Sequence, residues 1–232
     1  MNLVHDTGRP SAADAKFIGA LEALPLEDKL RLGAFRLFSR FLALAPEAAF
    51  FDALRASGVV GELSALARAV RSETALSLAS LDEWLATADP EAFEVARRDY
   101  LEAFVSARHL PAPPWESVYR SPDRLVFQEP AREVFKAYLA AGLGFDGMKQ
   151  TPSDHISLEL AFAAALLVEA PTSADARSQL DRFEAEHMTS WMPSFCKDLG
   201  GVARTPPYVA VATALPHLLA RSGTCGLAEG SA

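Results

Sequence analysis

Asp154 and His155 are the one adjacent pair in this sequence whose types match acid–base machinery, a carboxylate beside an imidazole. Their surroundings offer a second role. Thr151-Pro152-Ser153-Asp154 sets a threonine cap, a proline at the first helical position and an acid three residues after the cap, the signature of a helix start. Neighbouring helical positions point about 100° apart, so the residue types favour the cap over catalysis. The other histidines, His5, His109, His187 and His217, are dispersed without ligand spacing, and Cys196 and Cys225 form no C-x-x-C. Neither a metal site nor a disulfide framework is expected. Gly142-Leu143-Gly144-Phe145-Asp146-Gly147 spells G-x-G-x-x-G, but it follows a helix where a dinucleotide fingerprint follows a strand, and it reads as a capping hinge. Phosphate loops, H-E-x-x-H and nucleophile elbows are also missing, so no catalytic residue and no cofactor are expected.

A second concentration of chemistry lies between His109 and Pro130, where Pro111, Pro113, Pro114, Pro122 and Pro130 exclude a helix interior. The sequence predicts a long aromatic-bearing loop, the longest irregular segment of the fold, and long loops inside compact domains are more often functional than idle. Trp115 and Tyr119 have two readings of equal weight. Pro113-Pro114-Trp115 is either a rigid plug sealing one end of a helical domain, or part of a groove whose stiff aromatics receive a peptide.

These residues must be positioned by helices, because the apolar residues recur at helical spacing throughout and strands are hard to find. Asp28 to Leu44 puts Leu30, Ala34, Leu37, Phe38, Phe41 and Leu44 on one stripe, with Arg31, Arg36 and Arg40 away from it. Pro46 opens a shorter helix with Phe50, Phe51 and Leu54, interrupted at Gly58 and Gly61, after which Leu63, Leu66 and Val70 continue the period. Ser72 opens the next segment through Trp84. Asp89-Pro90-Glu91 is an N-cap, N1 proline and first-turn acid for a helix with Phe93, Ala96, Tyr100 and Phe104 on one face. Pro130 to Ala141 returns to helix with Val134, Phe135, Tyr138 and Leu139 inward. Ile156 to Val168 is apolar nearly all round, a capping box at Thr172 to Asp175 opens a helix running through Leu180, Phe183 and His187 towards Trp191, and Tyr208 to Leu219 is bent or broken at Pro216. Gly142 to Asp154 is expected to hinge two helical bundles, and residues 222–232 read as a flexible tail after a single domain over 1–221.

Composition sets the limits around this scheme. The 232 residues are 50% hydrophobic and 22% charged, enough for an ordinary core and too apolar for disorder, and no apolar run approaches a membrane span. With 22 Lys+Arg against 30 Asp+Glu the net charge is -8, which disfavours nucleic acid and suits a cationic partner. The N-terminal residues, Met1 to Pro10, lack the basic start and apolar stretch of a secretory signal, so the protein is expected to be cytoplasmic.

Taken together, Tyr100-Leu101-Glu102-Ala103-Phe104, the run Leu110-Pro111-Ala112-Pro113-Pro114-Trp115-Glu116-Ser117-Val118-Tyr119, and Pro152-Ser153-Asp154-His155-Ile156 with Glu159-Leu160 resemble the TorD/DmsD family of redox-enzyme maturation chaperones. Leu32 to Phe41 followed by Pro46, and Phe183, His187, Trp191 and Phe195, follow the same family order, so the resemblance spans roughly residues 28 to 220. It implies an all-α domain of about ten helices, not an enzyme, existing as a monomer or a domain-swapped homodimer. The implied role is to bind the twin-arginine signal peptide, or the apo-subunit, of a molybdopterin oxidoreductase until its cofactor is inserted. Carried over residue by residue, signal-peptide binding falls on Tyr100, Phe104, Pro113, Pro114, Trp115, Glu116, Ser117, Tyr119, Asp154 and His155. Such a peptide has a basic start and an apolar middle, so carboxylates beside an aromatic groove suit it, and Glu116, Asp154 and Glu159 are the acids at hand. The rival readings are a helical enzyme using Asp154 and His155, and a scaffold adaptor without peptide binding.

Overall fold

The computed structural model describes residues 19, 21–70, 72–106, 110–143 and 152–220. Among them are eleven α-helices and one π-helical turn, with no strand. The helices are α1 (Leu26–Ala43), α2 (Ala48–Ser57), α3 (Val59–Val70), α4 (Ser72–Thr87), α5 (Pro90–Phe104), α6 (Glu116–Arg120), α7 (Glu129–Ala140), α8 (Ile156–Glu169), α9 (Ala174–Phe183), α10 (Met192–Gly200) and α11 (Pro206–Leu219), with the π-turn Glu184–Met188 between α9 and α10. The all-α expectation holds. The Gly144 to Thr151 part of the expected hinge, the tail after Ala220, and His5, His109 and Cys225 lie outside the described residues.

Helix α1 forms as its stripe predicts, burying Leu30, Ala34, Leu37, Phe38 and Phe41, and packs against the apolar helix α8. In turn α11 packs on α4 and α10, and α9 on α8, so the first and last described helices share one hydrophobic core. Two residues of α1 depart from the pattern. Leu44 is 71% exposed, because the helix ends at Ala43 and Leu44 is extended. Arg31, expected on the outer face, is fully buried: its guanidinium meets Asp28 at 3.0 Å, the carboxylate of Glu184 and the carbonyl of Leu218 at 3.1 Å. A buried cation is tolerable only when paired and hydrogen-bonded in this way. Burial alone would raise the Asp28 carboxyl, but Arg177 and Arg31 together hold it below its usual range.

Local signals explain other boundaries. Asp89 caps α5 by accepting from the Ala92 N–H at 2.8 Å. Gly58 ends α2 with φ +67°, whereas Gly61, expected as a second break, lies inside α3 where a Cβ would stand 3.1 Å from Asp82. Pro216 is accommodated within α11 without breaking it. The cap of α9 is Ser173, one residue later than expected, because the Thr172 hydroxyl instead donates to the Glu169 carbonyl. Leu139, expected inward, is 52% exposed, since α7 turns Ala131, Val134 and Tyr138 to the core.

Two expectations near the candidate site are corrected. The segment 109–130 is not one continuous loop, because Glu116–Arg120 forms the short helix α6 within it. Nor does α8 begin at Pro152. It begins at Ile156 with His155 as N-cap, the imidazole Nδ1 accepting from the Ser157 N–H at 3.2 Å, because the Asp154 carboxylate is engaged elsewhere.

Candidate functional site: a junction between two chain segments

The proline-rich segment and the start of α8 are joined by their backbones. The Glu116 N–H donates to the Asp154 carbonyl at 3.0 Å and the Ile156 N–H to the Pro114 carbonyl at 2.9 Å, giving an antiparallel bridge between Trp115 and His155. Proline explains why this segment is extended before α6: Pro113 and Pro114 fix their own φ and bias the preceding residue away from helix. The side chain of Asp154 completes the join. Its Oδ2 accepts from the Ser117 N–H at 2.7 Å and from the Ser117 hydroxyl, so it caps α6 rather than α8.

Glu116 is the second buried anchor, accepting from Arg120 one turn on in α6 and from His187 Nδ1 at 3.0 Å. Arg120 also donates to the Glu186 carbonyl at 3.1 Å, so α6 is tied to the π-turn twice. A π-turn adds one residue to the helical repeat, and here one such turn supplies both Glu184 for Arg31 and His187 for Glu116. Glu159, from α8, accepts from the Trp191 indole at 3.1 Å. Burial and then the neighbouring Glu116 charge raise its carboxyl well above the usual carboxylate range, and its Oε1 is buried without a hydrogen-bond partner. Tyr138 lies over the same carboxylates and donates to the Ser153 carbonyl at 3.0 Å.

The aromatic residues form a continuous ladder. Tyr100 and Phe104 are buried against each other and Tyr208, Phe104 stacks on Phe195, and Phe195 meets Trp191 and Tyr119. The hydroxyl of Tyr119 donates to Asp198 at 3.1 Å. Trp115 stands apart from this ladder, edge-on to the His155 ring at 5.7 Å. Burial pushes the His155 pKa down to about 4, so the imidazole is neutral at pH 7.

The structure therefore brings Trp115, Glu116, Ser117, Asp154 and His155 into one junction and places Tyr100 and Phe104 in the core, linked to Tyr119 through Phe195. Pro113 and Pro114 are buried, while Trp115, Tyr119 and His155 are half-buried. The acids expected at a groove edge, Glu116, Asp154 and Glu159, are wholly buried. Asp154 faces Ser117 while the His155 ring turns to Ser157, an arrangement for holding segments together rather than for passing a proton between the two. Sequence reasoning missed His187 and Arg120 as members of the site. The Glu116–Arg120 spacing of four would have signalled the second had α6 been anticipated. Among the described residues no cluster of His, Cys, Asp or Glu could hold a metal, and no helix is long and apolar enough to cross a membrane.

A Haemophilus influenzae protein named as a Tat proofreading chaperone, DmsD, is 29% identical over 113 residues, 49% of this chain and 53% of that one. The chaperone protein TorD of a Psychrobacter species is 24% identical over 140 residues, 57% of this chain and 62% of its own. The chain thus spans between half and two thirds of the length of these curated relatives. A crystal structure of a candidate redox enzyme maturation protein from Archaeoglobus fulgidus superposes with a TM-score of 0.51 at 21% identity, over 81% of this chain and 93% of that one, a likeness of fold. The family model for the nitrate reductase delta subunit matches residues 67–197, more than half of the chain and both sides of the junction, and the chain belongs to that family.

Proposed function

We propose that this protein is a cytoplasmic chaperone for the maturation of a molybdopterin-containing oxidoreductase, holding its twin-arginine signal peptide or apo-subunit until the cofactor is inserted. The observation that carries this reading is the Pro113–Tyr119 segment, clamped to Ser153–Ile156 with Trp115, Tyr119 and His155 half-buried along it. Rigid, part-exposed aromatics give a large contact area for little lost entropy, which suits a peptide receptor. Family membership and the names of the relatives support the same reading.

In this role Trp115, Tyr119 and His155 touch the peptide, and Glu116, Ser117 and Asp154 set the position of those rings. Tyr100, Phe104, Pro113 and Pro114 support them from the core. Binding alone is required, with no covalent step. The chain works as a monomer or as a homodimer exchanging helices. Capture of the protein from its native host, followed by mass spectrometry, is expected to recover a molybdopterin oxidoreductase subunit that still carries its signal. Recovery of only the mature, cofactor-loaded enzyme would contradict the reading.

A further inference from the structure

The Pro113–Tyr119 segment is tied to the start of α8 mainly by polar contacts. The Glu116 N–H reaches the Asp154 carbonyl at 3.0 Å, the Ile156 N–H the Pro114 carbonyl at 2.9 Å, and the Ser117 N–H the Asp154 carboxylate at 2.7 Å. Apolar packing adds little within α6, whose buried residues are Glu116, Ser117 and Val118, and Tyr119 rests half-buried on Trp191 and Phe195. A unit held in this way can open on its own while the hydrophobic core stays folded.

The same junction carries an imbalance of charge. Glu116, Asp154 and Glu159 are wholly buried, and every neighbouring element contributes a group around them. The Arg120 guanidinium of α6 pairs with Glu116, and His187 of the π-turn brings its Nδ1 to Glu116 at 3.0 Å. Tyr138 of α7 donates to the Ser153 carbonyl at 3.0 Å, the Trp191 indole donates to Glu159 at 3.1 Å, and His155 turns away to Ser157. Lys136 and Glu133 of α7, Arg182 of α9 and Glu186 of the π-turn border His187 along a cleft of about 700 Å³, and none of these four pairs with the buried acids. One guanidinium thus faces three buried carboxylates, and a buried carboxylate without a cation takes up a proton rather than keep its charge.

Two oxygens show where donors are short: Asp154 Oδ1 and Glu159 Oε1 are buried without a hydrogen-bond partner. Asp154 has both Ser117 donors on its other oxygen, whereas Glu159 has the indole alone, so the proton belongs on Glu159. Burial and the Glu116 charge raise its carboxyl in the same direction.

We propose that the join between the Pro113–Tyr119 segment and the start of α8 is a proton-operated latch, clamped while the Glu159 carboxyl holds its proton and opened, with the rest of the helical core still folded, when that proton is lost to solvent. Lifting α6 takes the Glu116 charge from beside Glu159 and admits water, which returns Glu159 to an ordinary carboxyl. The clamp is therefore at full strength below the ordinary carboxylate range and weakens as pH rises through the raised value. Trp115 and Tyr119 move with the segment, so the latch decides when those rings are held in place, whatever they meet.

Amide hydrogen exchange of the full chain, followed across pH and at low urea concentrations, tests this. After allowance for the pH dependence of intrinsic exchange, protection at the Glu116, Ser117 and Ile156 amides is expected to fall by about tenfold per pH unit, the slope of one proton released on opening. Low urea is expected to leave these three amides unaffected while it accelerates the core amides of α1, as local opening requires. In Glu159→Gln the slope is expected to vanish with the three amides still protected. Protection independent of pH in the wild-type chain would overturn the latch without recourse to any variant. Exchange of the three amides only together with those of α1, at the same urea dependence, would also overturn it by making the proton a matter of global stability. A slope that persists in Glu159→Gln would overturn the assignment of the proton to Glu159.

Discussion

The carboxylate of Asp154 accepts two hydrogen bonds from Ser117, 37 residues earlier, one of them from the backbone N–H at 2.7 Å. An acid at the doorstep of α8 thus serves as the cap of α6. The Asp154→Ala substitution leaves two buried donors unsatisfied, and its expected cost is about 2 kcal/mol or more, a fall in Tm of roughly 5 °C. Because Asp154 is wholly buried, the fall is expected to be the same at low and high salt in thermal melts. A loss confined to low salt would instead place this carboxylate at the surface.

Glu159 sets a pH dependence whose sign follows from its raised carboxyl. Between the unfolded value near 4.5 and the higher folded value, the native chain keeps a proton that the unfolded chain has released. Stability is therefore full below that window and falls as pH rises through it. In Glu159→Gln the amide can still accept from Trp191 and carries no titrating proton, so the variant is expected to show a flatter stability–pH curve and a higher Tm than wild type at alkaline pH. Denaturant titrations across pH check this, and an unchanged slope would mean that Glu159 is ionised in the fold.

Arg31 is the other buried charge with long-range partners. Removing it leaves Asp28 and Glu184 without their shared cation, and Arg31→Met is expected to cost roughly 3–5 kcal/mol. Arg97, half-buried and with the Glu94 carboxylate 3.9 Å away, is expected to change stability by less than about 0.5 kcal/mol in Arg97→Met. Urea unfolding of both variants makes the comparison, and equal losses would remove the case for Arg31 as a buried hub.

A second remote cap gives an independent check on this way of joining helices. Asp99 of α5 accepts from the Arg204 N–H at 3.0 Å and the Thr205 N–H at 2.8 Å, at the start of α11. Asp99→Ala is expected to lower Tm, with hydrogen exchange increased first at the amides of Arg204 and Thr205. Unchanged protection at those two amides would contradict the capping role.

What the sequence made legible is what is local. The Asp89 cap, the α1 stripe and the all-round apolar α8 each lie within a few turns of chain and were readable from spacing. The partners of Arg31 could not be read in this way, since Glu184 and Leu218 lie 153 and 187 residues away, and periodicity places an arginine on the outer face by default. Asp154 misled for the same reason: Thr151-Pro152-Ser153-Asp154 fits a capping box, and only the fold reveals that Ser117 occupies its carboxylate. Helix α6, five residues long, is too short to show a period at all. Trp115, Tyr119 and His155 are found by type and by family resemblance, whereas His187, part of the same resemblance, meets Glu116 only through the geometry of the π-turn.

Calorimetric titration of the full chain with a twin-arginine signal peptide, against the same peptide with lysines in place of the arginine pair, tests the proposed function most directly, with Trp115→Ala measured alongside. Guanidinium and ammonium groups differ in hydrogen-bonding geometry, and an aromatic anchor is typically worth ~2 kcal/mol or more, over tenfold in affinity. The expected result is tight binding of the arginine peptide, weaker binding of the lysine peptide, and at least a tenfold loss in Trp115→Ala with its Tm little changed. Equal affinity for the two peptides, or wild-type affinity in a folded Trp115→Ala variant, would contradict it.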